Sequence, residues 1–509
     1  MKKIITILMA LSLTFASCKD YLEIYPDDSI SSATFWNSTE DAIMALNGIY
    51  AILRNNYIYG YGGGYDACTP NAYQWAHWEG CQMQVGDGSI TANQGYIVSD
   101  RWTQCYRGIG RVNYFLENID KVETMSDADK AVVIAEAYFM RAIFYHLLVR
   151  TYGGVPKVLK TITTAEAREL SRESEADTWA LVHSDFDEAI KGLQKEAPVY
   201  GRATLGAAYG MKMKAYLYQG NYEKVLEYCD KIDGLNKYIL YPSYYGLFQF
   251  ENEGNDETIF PLCFAAGTFG QGSIFDRYWQ PQNLKYGIDG SNSTAPTQHL
   301  VDAYETIDGS PVDPDNPYEN RDPRLDFTIL RPGAYFQGQH YPTEIRNHTG
   351  QGVGFSIRKY TIETMVVIGT QSPLDFMILR YGDVLLCRAE ALIETNGDID
   401  AAIDIINRIR TERTDVKITP IAKGLNQADA RTVLRKERRI ELALEGQYWD
   451  DIKRWKIGPE IYPVEVRSGL GQLIQTKFPN GYDVRKDNYL PIANSELSLN
   501  PNLEQNYGY

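Results

Sequence analysis

Apolar residues recur at helical spacing through most of this chain. The clearest case is 127–151, where Ala135, Tyr138, Phe139, Ala142, Tyr145 and Val149 follow an i, i+3, i+4, i+7 rhythm that lines one face of an α-helix. Gly153-Gly154-Val155-Pro156 ends it, because glycine weakens a helix and proline cannot extend one. The same reading predicts helices over 99–119, 175–195, 203–219, 222–233, 373–395, 399–413, 427–446 and 448–455. Ser38-Thr39-Glu40-Asp41 opens a further helix through Tyr50, with Ser38 as N-cap and Asp41 in the first turn.

Two helical pairs share one layout. The first runs from Arg202 to Gly220 and then from Asn221; the second runs from Leu379 to Gly397 and then from Asp398. Each has small residues in its first helix (Ala207, Ala208, Ala215; Ala389, Ala391) and a Gly-containing turn. That is the form of tetratricopeptide repeats, where small residues let paired helices approach closely. The repeats are dispersed rather than tandem, which argues against a free solenoid. The predicted fold is mainly α: a tetratricopeptide-like helical-pair scaffold with a large irregular loop-rich region and a few short strands. Repeat helices fall at about 127–232 and 373–455, and irregular segments at about 55–98 and 234–372. Short strands are expected at 258–264, 326–331 and 364–369, while 457–509 reads as mostly irregular. Long loops on a rigid scaffold are where binding sites concentrate.

The amino-terminal apolar run is of another kind. Ile4–Phe15 follows Lys2 and Lys3, is too short to span a bilayer, and leads into Phe15-Ala16-Ser17-Cys18. Small residues before a cysteine read as a lipoprotein signal, cut before Cys18, whose thiol then carries the lipid. The expected division is a signal peptide at 1–17, a lipidated tether at 18–34 and a single domain at 35–509. No second apolar run is expected to cross a membrane. The formal charge of −16 repels phosphate backbones and argues against nucleic acid. With 44% apolar residues, the chain can bury a substantial core.

Bond-breaking chemistry finds little support. Cys68, Cys81, Cys105, Cys229, Cys263 and Cys387 contain no CxxC pair; Cys68–Cys81 is the first candidate disulfide, and buried free thiols are the alternative. GxSxG, HExxH and P-loop patterns are absent, and His77, His146, His183, His299, His340 and His348 lack paired ligand spacing. His146 reads as a packed residue. Glu437, Glu441 and Glu445 share a helix face, but the interleaved Arg438 and Arg439 read as a salt-bridged structural helix rather than an acid–base pair. Asp308 to Asp326 is acidic without EF-hand spacing, so bound Ca²⁺ is only a minor expectation there.

The positive signal is aromatic. Tyr outnumbers Phe by 38 to 17, and residues 57–106 hold aromatics well above the chain's 12%. Among them are Tyr57, Tyr59, Tyr61, Tyr65, Tyr73, Tyr96 and Tyr106, with Trp75, Trp78 and Trp102, interleaved with Gly, Asn, Gln and Asp. A sugar ring offers an apolar C–H face and a hydroxyl edge, and it suits a flat aromatic with polar neighbours. Trp75 and Trp78 with Asn71, Gln74, Gln82 and Asp87 fit that role, and Tyr278 and Trp279 form a second candidate wall. Packing of the loops onto the scaffold is the competing explanation, and it is preferred for Trp102.

The ordered motifs resemble the SusD/RagB family of outer-membrane lipoproteins of Bacteroidetes. They are Ala135-Glu136-Ala137-Tyr138 with Tyr152-Gly153-Gly154; Asp308-Gly309 with Arg321-Asp322-Pro323-Arg324-Leu325; Leu379-Arg380-Tyr381-Gly382-Asp383 with Asn407-Arg408-Ile409-Arg410; Glu437-Arg438-Arg439-Ile440-Glu441 with Asp451-Ile452-Lys453-Arg454-Trp455; and the terminus from Leu490-Pro491-Ile492 to Tyr509. The resemblance implies a lipid-anchored, non-catalytic receptor at the cell surface that captures oligosaccharides and delivers them to a SusC-like TonB-dependent transporter. It implies helices facing that partner and irregular segments facing the ligand. Open alternatives are a peptide- or protein-binding scaffold of the same family and a glycoside hydrolase with an unrecognised acid pair.

Overall fold

The computed structural model describes residues 35–509 apart from 81, 268–269, 284–289, 347–349, 351–352, 365–366, 368 and 469–470. The signal peptide, Cys18 and the tether lie outside the described residues, as does Cys81 of the candidate disulfide; Cys68 is a buried free thiol.

Most of the predicted helices form. α1 spans Thr39–Tyr50, with the Ser38 hydroxyl accepting from the Asp41 amide at 3.1 Å and the Ser38 amide donating to the Asp41 carboxylate at 2.9 Å. α2 spans Asp100–Asn118, α3 Asp127–Tyr152, α4 Glu175–Gly192, α5 Leu205–Tyr218 and α6 Tyr222–Asp233. α7 spans Tyr381–Glu394, α8 Ile399–Thr411, α9 Gln427–Glu441 and α10 Tyr448–Trp455. α3 packs between α2 and α4, α4 on α5, and α5 on α6; α6 then packs on α7, and α7 on α8 and α9. The two groups of repeats, far apart in sequence, are therefore one stack in space, bridged at α6–α7.

Close approach explains the small residues. A Cβ on Gly108 would stand 2.3 Å from the Phe144 ring where α2 crosses α3, and one on Gly210 would stand 2.2 Å from Leu379. α3 is long and apolar enough to cross a membrane, contrary to the expectation that no second run would be, but its apolar window is 83% buried inside the fold. It is the core helix. His146 on α3 is buried beside Trp179 and Tyr218, as expected of a packed residue, and burial lowers its pKa so that the ring stays neutral.

The strands are short and antiparallel. β1 (Ala72–Gln74) pairs with β3 (Thr294–Pro296), and β2 (Thr258–Leu262) with β8 (Phe376–Arg380). β4 (Ile329–Leu330) pairs with β7 (Ser356–Ile357), β5 (Ala334–Phe336) with β6 (Gln339–Tyr341), and β9 (Val464–Arg467) with β10 (Leu473–Lys477). The predicted helix 373–395 divides in two: Phe376-Met377-Ile378-Leu379-Arg380 is a strand buried on both faces, and a helix begins only at Tyr381. A fully apolar run of this length has no period to separate strand from helix. The strand expected at 326–331 shrinks to β4, because Arg324–Thr328 is helical.

Irregular segments and helices meet at a buried ion network. Arg380 donates to Glu257 and Glu441 at 2.8 Å and to Glu445 at 2.7 Å. Arg324 donates to Asp322 at 2.8 Å, Glu437 at 2.6 Å and Glu441 at 3.0 Å. Arg413 reaches Glu257 and Glu441 at 3.0 Å, and Lys359 reaches Glu445 at 2.7 Å. Beside it, Asp383 accepts from Lys214 at 2.8 Å and Arg438 at 2.6 Å. The acids of α9 and its carboxyl end are thus structural, as their interleaved arginines suggested. Burial acts to raise the Glu441 carboxyl, but Arg413, Arg380 and Arg324 outweigh it and hold it at about 2.

Gly382 makes room for this network: a Cβ there would lie 2.4 Å from Arg380 Nη1 and 2.9 Å from Glu257 Oε1. Gly382→Ala is therefore expected to lower the thermal midpoint, at a cost of about 1–3 kcal/mol. Glu441→Gln leaves buried guanidinium charge under-compensated and is expected to cost roughly 3–5 kcal/mol in denaturant unfolding. Because the folded carboxyl sits below its ordinary 4.5, its stabilisation is complete above pH 4.5 and is lost as pH falls through about 2. Urea midpoints measured across that window should fall less steeply for Glu441→Gln than for the unsubstituted protein.

Candidate functional site

The two aromatic walls inferred from sequence meet through β1 and β3. Just past β1, the Trp75 amide donates to the Ser293 carbonyl at 3.1 Å, and its indole Nε1 donates to the Asn292 carbonyl at 3.0 Å. The Ser293 amide donates in turn to the Tyr278 carbonyl at 2.6 Å. The backbones of Trp75 and Tyr278 are thereby tied to each other through Ser293. The chain turns sharply at His77–Glu79, which sets the Trp78 ring edge-on to Trp75, with centroids 5.2 Å apart and planes at 79°. Trp78 is 55% exposed and Trp75 half-buried. A large exposed indole braced by a second one suits stacking against a flat apolar ligand face.

The polar rim differs from the one expected. Asn71, Gln74 and Gln82 are buried. Asn71 donates to Asp66 at 3.2 Å and accepts from Arg439 at 2.7 Å, while Gln74 donates to the Tyr61 hydroxyl at 2.7 Å. β1 explains part of this: its two-residue period turns Ala72 and Gln74 inward. Asp87 is half-buried and accepts from Gln475 at 2.9 Å, tying the end of Gln82–Asp87 to β10. Trp279 is a core residue rather than a wall: it is 0% exposed and stacked on Phe275 at 4.3 Å and 10°. The helical turn Phe275–Trp279 places Phe275 and Trp279 on its inner face and leaves Arg277 and Tyr278 half-buried outside.

Much of the aromatic density at 57–106 is likewise packing. Tyr61, Tyr65 and Trp102 are buried, the last as expected. The glycine run beside them serves close approach: a Cβ on Gly63 would stand 1.8 Å from the Leu444 carbonyl oxygen.

Three groups not singled out from sequence complete the face. Glu79 accepts from the Ser293 hydroxyl at 3.0 Å, and Ser293 and Ser291 share a hydrogen bond at 2.7 Å. Burial pushes the Glu79 carboxyl up to about 6, against the opposing pull of the Ser293 hydrogen bond and the Arg277 charge. A Trp-x-x-Trp-Glu string was the available signal, but the chain's many acids hid it. Tyr335, 68% exposed, stacks on His340 at 4.4 Å and 18° across the β5–β6 hairpin, a second exposed ring pair on an irregular segment.

Among the described residues, no group of three or more His, Cys, Asp or Glu side chains is arranged to hold a metal. Of the acids between 308 and 326, Asp308 accepts from the Ser310 amide at 3.0 Å, Asp313 from the Asp315 amide at 2.9 Å, and Asp322 holds Arg324.

Residues 256–509 match the model of the SusD family, and residues 20–217 match a second model, described as starch-binding associating with outer membrane. A SusD-like protein of Formosa agariphila is 27% identical over 542 residues, covering 98% of each chain. The starch-binding protein SusD of Bacteroides thetaiotaomicron is 23% identical over 455 residues, covering 79% of this chain and 76% of that one. The crystal structure of a SusD-like carbohydrate binding protein from Bacteroides fragilis aligns with a TM-score of 0.82 at 26% identity, covering 92% of this chain and 100% of that one. Two family models that between them take in both halves of the repeat stack, and relatives aligned nearly end to end, establish that the chain belongs to the SusD family.

Proposed function

We propose that this protein captures oligosaccharides at the cell surface without cleaving them and passes them to a SusC-like TonB-dependent transporter, with a lipid on Cys18 holding it to the outer membrane. The observation that carries the binding role is the exposed Trp78, braced by Trp75, beside a ladder anchored to the scaffold. Relatives named as carbohydrate- and starch-binding support the same reading. Stacking on one or two rings with a polar edge gives modest affinity, which suits a receptor that must release its cargo.

The non-catalytic role is supported by the fate of the carboxylates. Glu437, Glu441 and Glu445 are locked in arginine and lysine pairs, and Glu79 is the acid identified on the aromatic face. A glycosidase needs two carboxyls flanking one bond. Incubation with soluble polysaccharides is expected to release no new reducing ends.

Trp78→Ala is expected to weaken oligosaccharide binding by at least tenfold in calorimetry, with an unchanged circular dichroism spectrum and melting temperature. Unaltered affinity would remove this face from the site. Trp279→Ala should do the reverse and destabilise the fold by about 3–5 kcal/mol through a core cavity, measured by denaturant unfolding.

A further inference from the structure

Taking the aromatic face as a glycan site, we propose that Glu79 selects the cargo: the site takes neutral oligosaccharides that offer a hydroxyl donor at the ring edge, and rejects acidic ones such as uronates. Glu79 follows Trp78 in the same helical turn, and the proposed contact has the hydroxyl edge of a ring stacked on that indole reach the carboxylate. The two oxygens of Glu79 are unequal. Oε1 is anchored by the Ser293 hydroxyl at 3.0 Å, while Oε2 is buried without a hydrogen-bond partner. A buried acceptor left unsatisfied is destabilising, and a ligand hydroxyl donating to it recovers that cost. The residue itself is half-buried next to the exposed Trp78, so the proposed contact requires its side chain to turn about the Ser293 anchor when a ligand stacks there.

Charge sets the discrimination. A carboxylate or sulfate on the ligand would face Glu79 at short range, on a chain whose net charge is already −16. The groups around Glu79 do not reverse this. Among the described residues they are the Ser293 hydroxyl, the Tyr61 and Tyr278 phenols and the Arg277 cation, whose attraction is not enough to bring the Glu79 carboxyl back to its ordinary value. A hydroxyl donor prefers the ionised carboxylate, so affinity for neutral glycans should be highest above about pH 6 and should fall as Glu79 takes up its proton.

The test uses the full mature chain with laminarin and maltoheptaose as neutral probes, and oligogalacturonate and alginate oligosaccharides as acidic ones, titrated between pH 5 and pH 7.5. The expected result is binding of a neutral probe that weakens about fivefold toward pH 5, with acidic probes at least tenfold weaker at neutral pH. Glu79→Gln should flatten the pH profile and narrow the neutral-to-acidic ratio. If Glu79→Gln keeps the parent pH profile and ratio while Trp78→Ala still weakens binding, Glu79 is not the selector and the glycan reading stands. Preference for acidic probes overturns the selection, and binding of no glycan by the parent chain overturns both.

Discussion

The structure depends on a carboxylate, Glu441, that meets three guanidinium groups in the interior. Arg324, Arg380 and Arg413 come from three separate stretches of chain, and Glu257, Glu437 and Glu445 close the network around them. Isolated buried charges would be prohibitively expensive; here each acid has its partners within hydrogen-bonding distance. An apolar core would hold the same elements together with less directional demand. The ion network instead fixes where the segment carrying Asp322 and Arg324 and the end of β8 sit against α9, because each bidentate contact tolerates little displacement. Gly382 belongs to the same arrangement, its missing side chain leaving space for the Arg380 head group.

That constraint lets a face with little regular structure present a binding surface. β1 and β3 are three residues each, too short to stand alone. They are held because the strand region rests on buried residues such as Tyr61, whose hydroxyl hydrogen-bonds with Thr294 at 3.1 Å and accepts from Gln74 at 2.7 Å. From this support project Trp75, Trp78 and Glu79. The helical stack carries the core, the ion network fastens the irregular segments to it, and the exposed rings stand at the far end of that chain of support.

The helices were legible in sequence from their apolar spacing and their stop signals, but α3 was read for only one face: from Phe139 to Val149 it is buried all round, while Tyr138, counted on that face, is half-buried. β8 was not, because Phe376-Met377-Ile378-Leu379 is apolar without a period and its pairing partner lies more than a hundred residues away in β2. The structural role of Glu437, Glu441 and Glu445 was readable from Arg438 and Arg439 beside them. Their actual partners were mostly distant residues, which spacing along one helix cannot identify. At the candidate site, Trp75 and Trp78 were found by their aromatic and polar setting, but the same setting surrounds Trp279, which packs on Phe275. The difference lies in which side of a single helical turn faces the core, and composition does not encode it. Asn71, Gln74 and Gln82 read as a polar rim, yet the fold uses Asn71 and Gln74 as internal hydrogen-bonding groups.

The most direct test of this account is amide hydrogen exchange of the mature chain with and without a saturating neutral oligosaccharide. The account predicts added protection at 75–79, 277–283 and 290–293, with 437–445 unchanged and already slow in both states. Protection that appears instead along α4–α8, or no protection anywhere at saturating ligand, would contradict it.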